Sequence, residues 1–529
     1  MSQMKTPGVY VVEKNAFPNS VVEIETAVPA FIGYTEEADN RGKSLLNIPT
    51  KVTSLVEYHR FFGGAPQPKF SITEITDDTP ADITVKADDG TAKKYAVAQV
   101  SGKYKLYNSI KLFYQNGGGP AYIVSVGKYA VDDASKEDVI NAEDLQGDDG
   151  AFTGMQSLLK EMEPTMVVIP DAMNLKDTEA AALQQAMVNH CGEKMRNRIA
   201  ILDIYDGYKD QDDPAGDPVA AFRNIGLNFP DFATAYYPWL NTSIVQDNEI
   251  SFENLADVAP LQDILKAELG VAGDLTAPAD DATPAEKKAY NAKKAIQDLI
   301  GTIALDMEEK EGATLSNTLM SLSTKYREIH KKIKDDVNLL PPSGAMAGVY
   351  TLVDNSRGVW KAPANVSLNS VVSPTVNISH DEQQDLNVDL NGKSINAIRF
   401  FLGEGILVWG ARTLDGNSQD WRYINVRRTM IMLEQSIKAA AKAFVFEPND
   451  AQTWTTVKSM IENFLTGQWK KGALVGAVPT DAFVVQVGLG QTMTANDILD
   501  GIMRVTVLVA ISRPAEFIEI TFQQQMQKS

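Results

Sequence analysis

The chain has 529 residues, 44% of them hydrophobic, and carries 69 acidic against 49 basic side chains for a formal net charge of −20 at pH 7. The length suits about three or four domains with ample core, and the charge argues against a general affinity for nucleic acid or anionic lipid. No run approaches the roughly 18 apolar residues of a membrane span, no secretory signal opens the chain, and the single Cys191 excludes an intrachain disulfide or a thiolate metal cluster, so folding in the cytoplasm is expected.

The first element predicted is a strand through Val9, Tyr10, Val11 and Val12, directly behind the turn signal Pro7-Gly8. A second turn signal, Phe17-Pro18-Asn19-Ser20, precedes the run Val21, Val22, Glu23, Ile24. Ala27 to Tyr34 reads as a strand and Ser54 to Phe62 as a helix. Residues 66–106 change character: three prolines, then short β-type runs (Asp82 to Ala87, Lys94 to Val100) with turn signals between them, a small β-rich insertion.

Strands then alternate with helices. Leu106 to Gln115 is predicted helical and stops at Asn116-Gly117-Gly118-Gly119-Pro120; Ala121 to Val126 is a strand. A helix over Ala151 to Glu161, a strand over Met166 to Pro170, a helix over Asp177 to Lys194 capped by Asp177 or Thr178, and strands over Arg198 to Asp203 and Ala233 to Leu240 follow. Strands that are continuous apolar runs separated by helices predict a largely parallel sheet covered on both faces. Residues 241–340 form a mainly helical insertion, acidic overall, with a linker at Asp274 to Pro284 and one or two long exposed helices over Pro284 to Lys334.

The last third is mixed. Ala397 to Gly405 and Ile406 to Arg412 are strand material. Tyr423 to Phe446 is a helix with Val426, Met430, Leu433, Ile437, Ala440 and Phe444 on one face, and Thr453 to Trp469 is a second, with Trp454, Val457, Ile461, Phe464 and Leu465 together. Strands over Ala482 to Val487 and Val505 to Ile511 flank a helix start at Thr494. After Arg513-Pro514 comes an alternating run in which Ile518, Ile520 and Phe522 share one face, next to Phe517. Both ends are therefore strands whose partner is either their own fold or a neighbouring chain, since an unpaired edge invites strand addition.

Catalytic signals are sparse. Gly-Lys-Ser at 42–44 and 392–394 lacks the glycine five positions earlier that a phosphate loop needs, where Glu37 and Asn387 stand. Gly403-Glu404-Gly405 has Val408 in place of the third glycine of a dinucleotide fingerprint. His59, His190, His330 and His380 show no metal-ligand spacing, and Cys191 and His190 are helix neighbours that point apart. The acidic run Asp203, Asp206, Asp210, Asp212, Asp213, Asp217 lacks the glycine and glutamate of a calcium loop. No cofactor or metal is expected; a nucleotide-binding α/β enzyme is kept as the alternative because parallel sheets host ligands at strand ends.

Several stretches resemble the sheath proteins of contractile phage tails and contractile injection particles: Thr6 to Val11, Ala27 to Gly33, Pro341 to Tyr350, Asp354 to Asn365, Asn396 to Arg399, Leu407 to Leu414, Arg422 to Arg428, Phe446-Glu447-Pro448-Asn449 and Arg513 to Ile518. The resemblance covers residues 1–35 and 341–529 well, 107–240 loosely, and leaves both insertions outside. It implies an α/β, multidomain fold: a discontinuous sheath core of mixed sheets and helices (27–65 with 107–240, then 341–512), two surface insertions (66–106 and 241–340), and extended N- and C-terminal β arms (1–26 and 513–529).

It further implies a non-enzymatic subunit that polymerises with its own copies as stacked helical rings, with or without sheath paralogues. These enclose an inner tube protein and end on baseplate and terminal cap proteins, without direct nucleic-acid or membrane contact. The particle is a phage tail or tail-like body, made in the bacterial cytoplasm and released from the cell. Val9, Tyr10, Val11, Val12, Val21, Val22, Ile24, Phe517, Ile518, Ile520 and Phe522 would be the strand-exchanging arms. The family places its C-terminal region against the tube, so Lys458, Lys470 and Lys471 are docking candidates, with Arg427, Arg428, Lys438 and Lys442 in reserve; the two arginines are equally suited to structural pairs.

Overall fold

The continuous apolar runs assemble side by side in a computed structural model that describes residues 21–76, 80–86, 92–129, 139–273, 275–279, 281–305, 307–389 and 392–520. Eight of them make one sheet: β1 (Pro29–Thr35), β2 (Thr50–Val52), β3 (Ala121–Lys128), β4 (Met166–Val168), β5 (Ile199–Asp203), β6 (Ala233–Tyr237), β7 (Asn396–Phe401) and β8 (Gly405–Trp409). Their spatial order is β8–β7–β6–β5–β4–β1–β3–β2. The six inner strands are parallel, and β8 and β2 close the two edges antiparallel. Every residue of β1, β4, β5 and β6 is buried, as their unbroken apolar sequence requires of strands covered on both faces.

Helices Leu55–Phe62, Leu106–Gln115, Asp177–Asn189 and Ser343–Arg357 accompany this sheet. The third starts from Lys176, which makes no side-chain cap bond, rather than from a cap at Asp177 or Thr178, and it runs on into a π-helical turn over His190–Met195. The expected helix near Ala151 to Glu161 is a tighter 3₁₀ segment, Gly154–Lys160. Gly344 and Gly348 let the last helix press on Leu106–Gln115: a Cβ at either would lie 2.6 Å from the carbonyl oxygen of Ser109 or Phe113.

The chain divides into two compact units. The larger, residues 27–356 with 363–424, holds the eight-stranded sheet and both insertions. The first insertion is a three-stranded antiparallel sheet of Lys69–Ile75, Ala92–Ser101 and Ile83–Lys86. It packs on helices Ala259–Glu268 and Thr324–Val337 of the second, burying Phe70, Ile83 and Val97 beside Ile264, Ile329 and Ile333. Ala256 N–H donates to Phe70 O at 2.8 Å, and Lys69 Nζ donates to Glu253 O at 2.6 Å. Helix Pro284–Gly301, opened by a Thr283/Glu286 capping box, is exposed along most of its length.

The smaller unit comprises residues 1–26, 357–362 and 425–529. Its helices α1 (Ile424–Ala441) and α2 (Ala451–Lys471) place Met432, Leu433, Val457, Ile461, Phe464 and Leu465 in one buried cluster with Ile437, Ala440 and Phe444 packed against it; Met432 joins from outside the predicted face, and Val426, Met430 and Trp454 of that face are not part of the cluster. The expected C-terminal core (341–512) is thus split. Residues 363–424 join the larger unit because β7 pairs in register with β6 (Tyr236↔Asn396, Tyr237↔Ala397). No described helix is long and apolar enough to cross a membrane.

Candidate functional site

The smaller unit carries a sheet of two strands, β9 (Phe483–Gln486) and β10 (Thr506–Val509), paired antiparallel from Phe483↔Val509 to Gln486↔Thr506. Among the described residues no third strand joins either edge. Phe483 and Val485 point into the helix cluster and Val507 and Val509 pack against it, whereas Val484 and Leu508, opposite each other, face solvent. Ala510 N–H bonds Ala482 O at 2.9 Å, and bonded pairs alternate in an antiparallel ladder, so the N–H groups of Val507 and Val509 point to the open edge of β10. A two-stranded sheet with an apolar inner face accepts a further strand chemically along the edge of β10, where no described strand takes up the outward donors and acceptors.

Of the predicted arm residues, Val9, Tyr10, Val11, Val12 and Phe522 lie outside the described residues. Phe517, Ile518 and Ile520 are exposed by 76%, 80% and 70% in a stretch without regular structure, so their alternation is not used by a strand of the described chain. Val21, Val22 and Ile24 differ from the expectation. They form no strand; Val21 and Ile24 pack against the helix cluster of their own unit and only Val22 turns outward. Ile24 N–H donates to Ser436 Oγ at 3.2 Å, Gln468 Nε2 to Glu23 Oε2 at 3.1 Å, and Arg428 Nη2 to Thr26 O at 3.0 Å. Residues 21–26 are thereby tied to α1 and α2. Ser436, Gln468 and Glu23 carried no sequence signal, because nothing local links positions more than four hundred residues apart.

The basic candidates separate into distinct settings. Arg427 and Arg428 are each 4% exposed, with Arg427 Nη2 3.7 Å from Glu434 and Arg428 bonded to Thr26. Burial removes both from any docking face and gives them the structural role. Lys471 meets Glu23 at 2.5 Å, and Lys458 lies 3.8 Å from Glu462 one turn on. Lys438, Lys442 and Lys470 are exposed and form no ion pair among the described residues. They are not one patch: α2 has 21 residues, about 30 Å at 1.5 Å each, and puts Lys470 and Lys471 at its far end from the turn that follows Lys442.

The catalytic candidates are committed to structure. Asp203 accepts from Ser343 N–H at 2.9 Å and Ser343 Oγ–H at 2.5 Å, joining β5 to the start of helix Ser343–Arg357; burial pushes its carboxyl up to about 7 against those bonds. At the carboxyl end of β1, where chain neighbours β3 and β4 lie on opposite sides and parallel sheets take ligands, Asp171 is fully buried. It accepts from the N–H of Tyr34 (3.0 Å), Lys105 (2.6 Å) and Leu106 (3.1 Å). Burial raises Asp171 to about 6, and burial lowers Lys105 to about 8.

His190 is buried beside Gln156 and Arg198 and driven down to about 3, and burial pushes the Cys191 thiol up to about 12. His59 meets Tyr107 Oη at 2.9 Å, and His330 faces the carbonyls of Asp247 and Ile250. Lys393 of the second Gly-Lys-Ser donates to the carbonyls of Arg223 and Ile225. Asp206 pairs with Lys209, and Asp217 caps helix Pro218–Arg223. Among the described residues no group of three or more His, Cys, Asp or Glu is placed to hold a metal ion.

Residues 417–525 match the family model of the phage tail sheath C-terminal domain. The chain is 27% identical over 156 residues to a tail sheath protein of Vibrio phage KVP40, a match covering 30% of this chain and 23% of that protein's length. The fold is similar to that of a chain in the cryo-EM structure of the anti-feeding prophage helical sheath in contracted state, with a TM-score of 0.57, 25% identity, and coverage of 99% of this chain and 100% of that one. It is also similar to a chain in the six-fold symmetrised baseplate of the same prophage, with a TM-score of 0.55, 26% identity, and the same coverage.

Proposed function

We infer that this chain, which has the fold of the contractile sheath proteins and a tail sheath C-terminal domain, is a structural subunit of a contractile sheath. It polymerises around an inner tube and shortens to drive that tube through a target envelope. The observation that carries this is the combination, on one chain, of a two-stranded sheet that no third described strand joins and a stretch in which Phe517, Ile518 and Ile520 are exposed and form no strand among the described residues. Each copy offers an edge it does not fill and a stretch it does not pair as a strand. Donation from copy to copy satisfies both and links the subunits while leaving them free to rotate on their arms.

On this reading residues 1–20 and 513–529 are the donated segments, and the clamp over residues 21–26 fixes where the first of them leaves its subunit. The polymer meets a baseplate at one end and a cap at the other, within a phage tail or tail-like particle made in the bacterial cytoplasm and released from the cell. Contact with the tube falls to the exposed Lys438, Lys442 and Lys470 and to the half-exposed Lys458, while Lys471 is shared with Glu23. Exposed pairs contribute about 1 kcal/mol or less each, which suits a contact that must let go on firing. A catalytic role is not part of the proposal. The Asp171 hydrogen bonds at the carboxyl end of β1 leave the nucleotide-binding alternative without a favouring observation.

The test is negative-stain microscopy of the purified full chain and of a variant lacking residues 1–20. Hollow tubes from the first and folded, tube-free protein from the second are expected. An oligomer unchanged by the deletion would overturn strand donation by this arm.

A further inference from the structure

The larger unit contains a cavity of about 1130 Å³ at the carboxyl ends of β1 and β3, where Glu36 and Tyr129 follow the two strands. Both insertions help to wall it, the first through Gln99 and the second through His330 and Asp336. The size is of the order of a small-molecule site, and the place is where parallel sheets take ligands. Carboxylates outnumber lysines in the wall, which disfavours an anionic occupant.

Lys105 stands in that wall at the start of helix Leu106–Gln115, and its backbone is fixed. Its N–H donates to Asp171 Oδ1 at 2.6 Å, and its carbonyl accepts from Ser109 N–H at 3.0 Å. The amine lies 5.4 Å from the centre of the Trp239 ring, which is buried and held by a 2.8 Å bond from Nε1–H to Ile204 O. It spends one of its three donors, on Leu339 O at 3.3 Å, and has no ion pair among the described residues. Burial draws the amine down to about 8, with Lys103 acting the same way and Asp171 and Asp336 opposing. The side chain nevertheless keeps part of its surface open. A neutral amine with access to a cavity is a nucleophile, whereas a buried ammonium is not. Asn108, three residues further on the same helix face, lines the same cavity. It is buried and its Oδ1 has no hydrogen-bond partner among the described residues, which leaves hydrogen-bonding capacity unspent on the same wall as the amine.

We propose that Lys105 is a modification site whose ε-amine accepts a small acyl group from an uncharged activated donor, an anhydride or a thioester, entering through the cavity. The lone pair of the neutral amine forms the N–C bond, and the C–O or C–S bond of the donor breaks. The leaving group departs with that pair, and the N–H proton passes to water. The product is a neutral amide, so the cost of keeping a poorly hydrated charge against Trp239 is removed. Access and reactivity both belong to the single chain, so the site does not rest on the sheath reading.

The test is competitive labelling of the purified full chain with a trace of acetic anhydride, read lysine by lysine by mass spectrometry. At pH 7.5 an amine at about 8 is about one-quarter neutral, against about one part in a thousand at the ordinary value. Its lower basicity returns part of that gain, as it does for thiolates. Lys105 should therefore be acetylated about tenfold faster than the exposed Lys288 and Lys294, and its labelling should rise through a midpoint near pH 8. In denaturant the advantage should vanish. Lys105 labelled no faster than Lys288 in the folded chain overturns the proposal. So does an advantage that survives denaturant, which would assign the reactivity to local sequence instead of the cavity.

Discussion

Glu23 and Lys471 stand 448 positions apart in sequence and meet at 2.5 Å, with Gln468 donating to the same carboxylate oxygen at 3.1 Å. The contact reaches the end of α2, next to Val21 and Ile24 on the helix cluster. With the Ile24–Ser436 and Thr26–Arg428 bonds it ties residues 21–26 to both helices.

Lys471→Glu places two carboxylates together and should speed limited proteolysis within residues 20–26 by about fivefold or less, the scale of a partly exposed pair. Raising salt should speed cleavage of wild type and leave the variant nearly unchanged. The exchange Glu23→Lys with Lys471→Glu should restore wild-type cleavage. No recovery in the double variant would mean that the pair does not hold the arm.

The open edge of β10 can be closed chemically without touching the ladder to β9. Val507→Pro removes an N–H that points away from β9, so the monomer should keep its far-ultraviolet spectrum while tube formation is lost. Val507→Ala, which trims the same side chain and keeps the N–H, should still form tubes. Equal behaviour of the two variants by sedimentation would argue against pairing at this edge.

Asp203 and Asp171 set a pH dependence with a definite sign. Their folded-state values of about 7 and about 6 lie above the ordinary 3.8, so between those limits the folded chain holds protons that the unfolded chain releases. The contribution of both groups to stability is fully present below about pH 4 and is lost as the pH rises through about 6 and 7. Asp203→Asn should flatten this part of the profile, gaining relative to wild type at pH 8 over pH 5 in denaturant midpoints. A slope as steep as that of wild type would show that Asp203 does not supply it.

Cys191 is fully buried on the π-helical turn, with its thiol pushed up to about 12. Alkylation by iodoacetamide at neutral pH should be undetectable in the folded protein and proceed at the unfolding rate in denaturant, so that this lone thiol reports opening of the larger unit. Rapid labelling without denaturant would contradict the packing around helix Asp177–Asn189.

What could be read in the sequence was whatever is written locally. The unbroken apolar runs of β1, β5 and β6, the helix stop at Asn116, and the faces of α1 and α2 come from periodicities of two or 3.6 and from breakers within a few residues. What could not be read depends on distant partners. Val21 to Ile24 alternates well enough to suggest a strand, yet Val21 and Ile24 are drawn to the helix cluster and Glu23 to Lys471, a choice made by residues far along the chain. Arg427 and Arg428 suit a docking face and a structural pair equally until Thr26 and Glu434 are brought to them. The exposed Lys470 and Lys442 share a basic stretch, yet Lys442 follows α1 and Lys470 sits at the far end of α2 from the turn between them, because composition has no direction and a helix does.

The two insertions add a consequence for how such a chain can change. It leaves its central sheet twice, over 66–106 and again over 241–340, to build a single annexe in which Phe70 and Leu255 share a bridge and Lys69 holds Glu253. Neither excursion is finished alone: each buries greasy side chains on the other. Excising one while keeping its companion would leave apolar side chains such as Phe70, Ile264 and Ile333 facing water. Gain, loss or replacement of this outer lobe, whether by evolution or by an engineer grafting a payload, has to cut and rejoin the polypeptide at both places together.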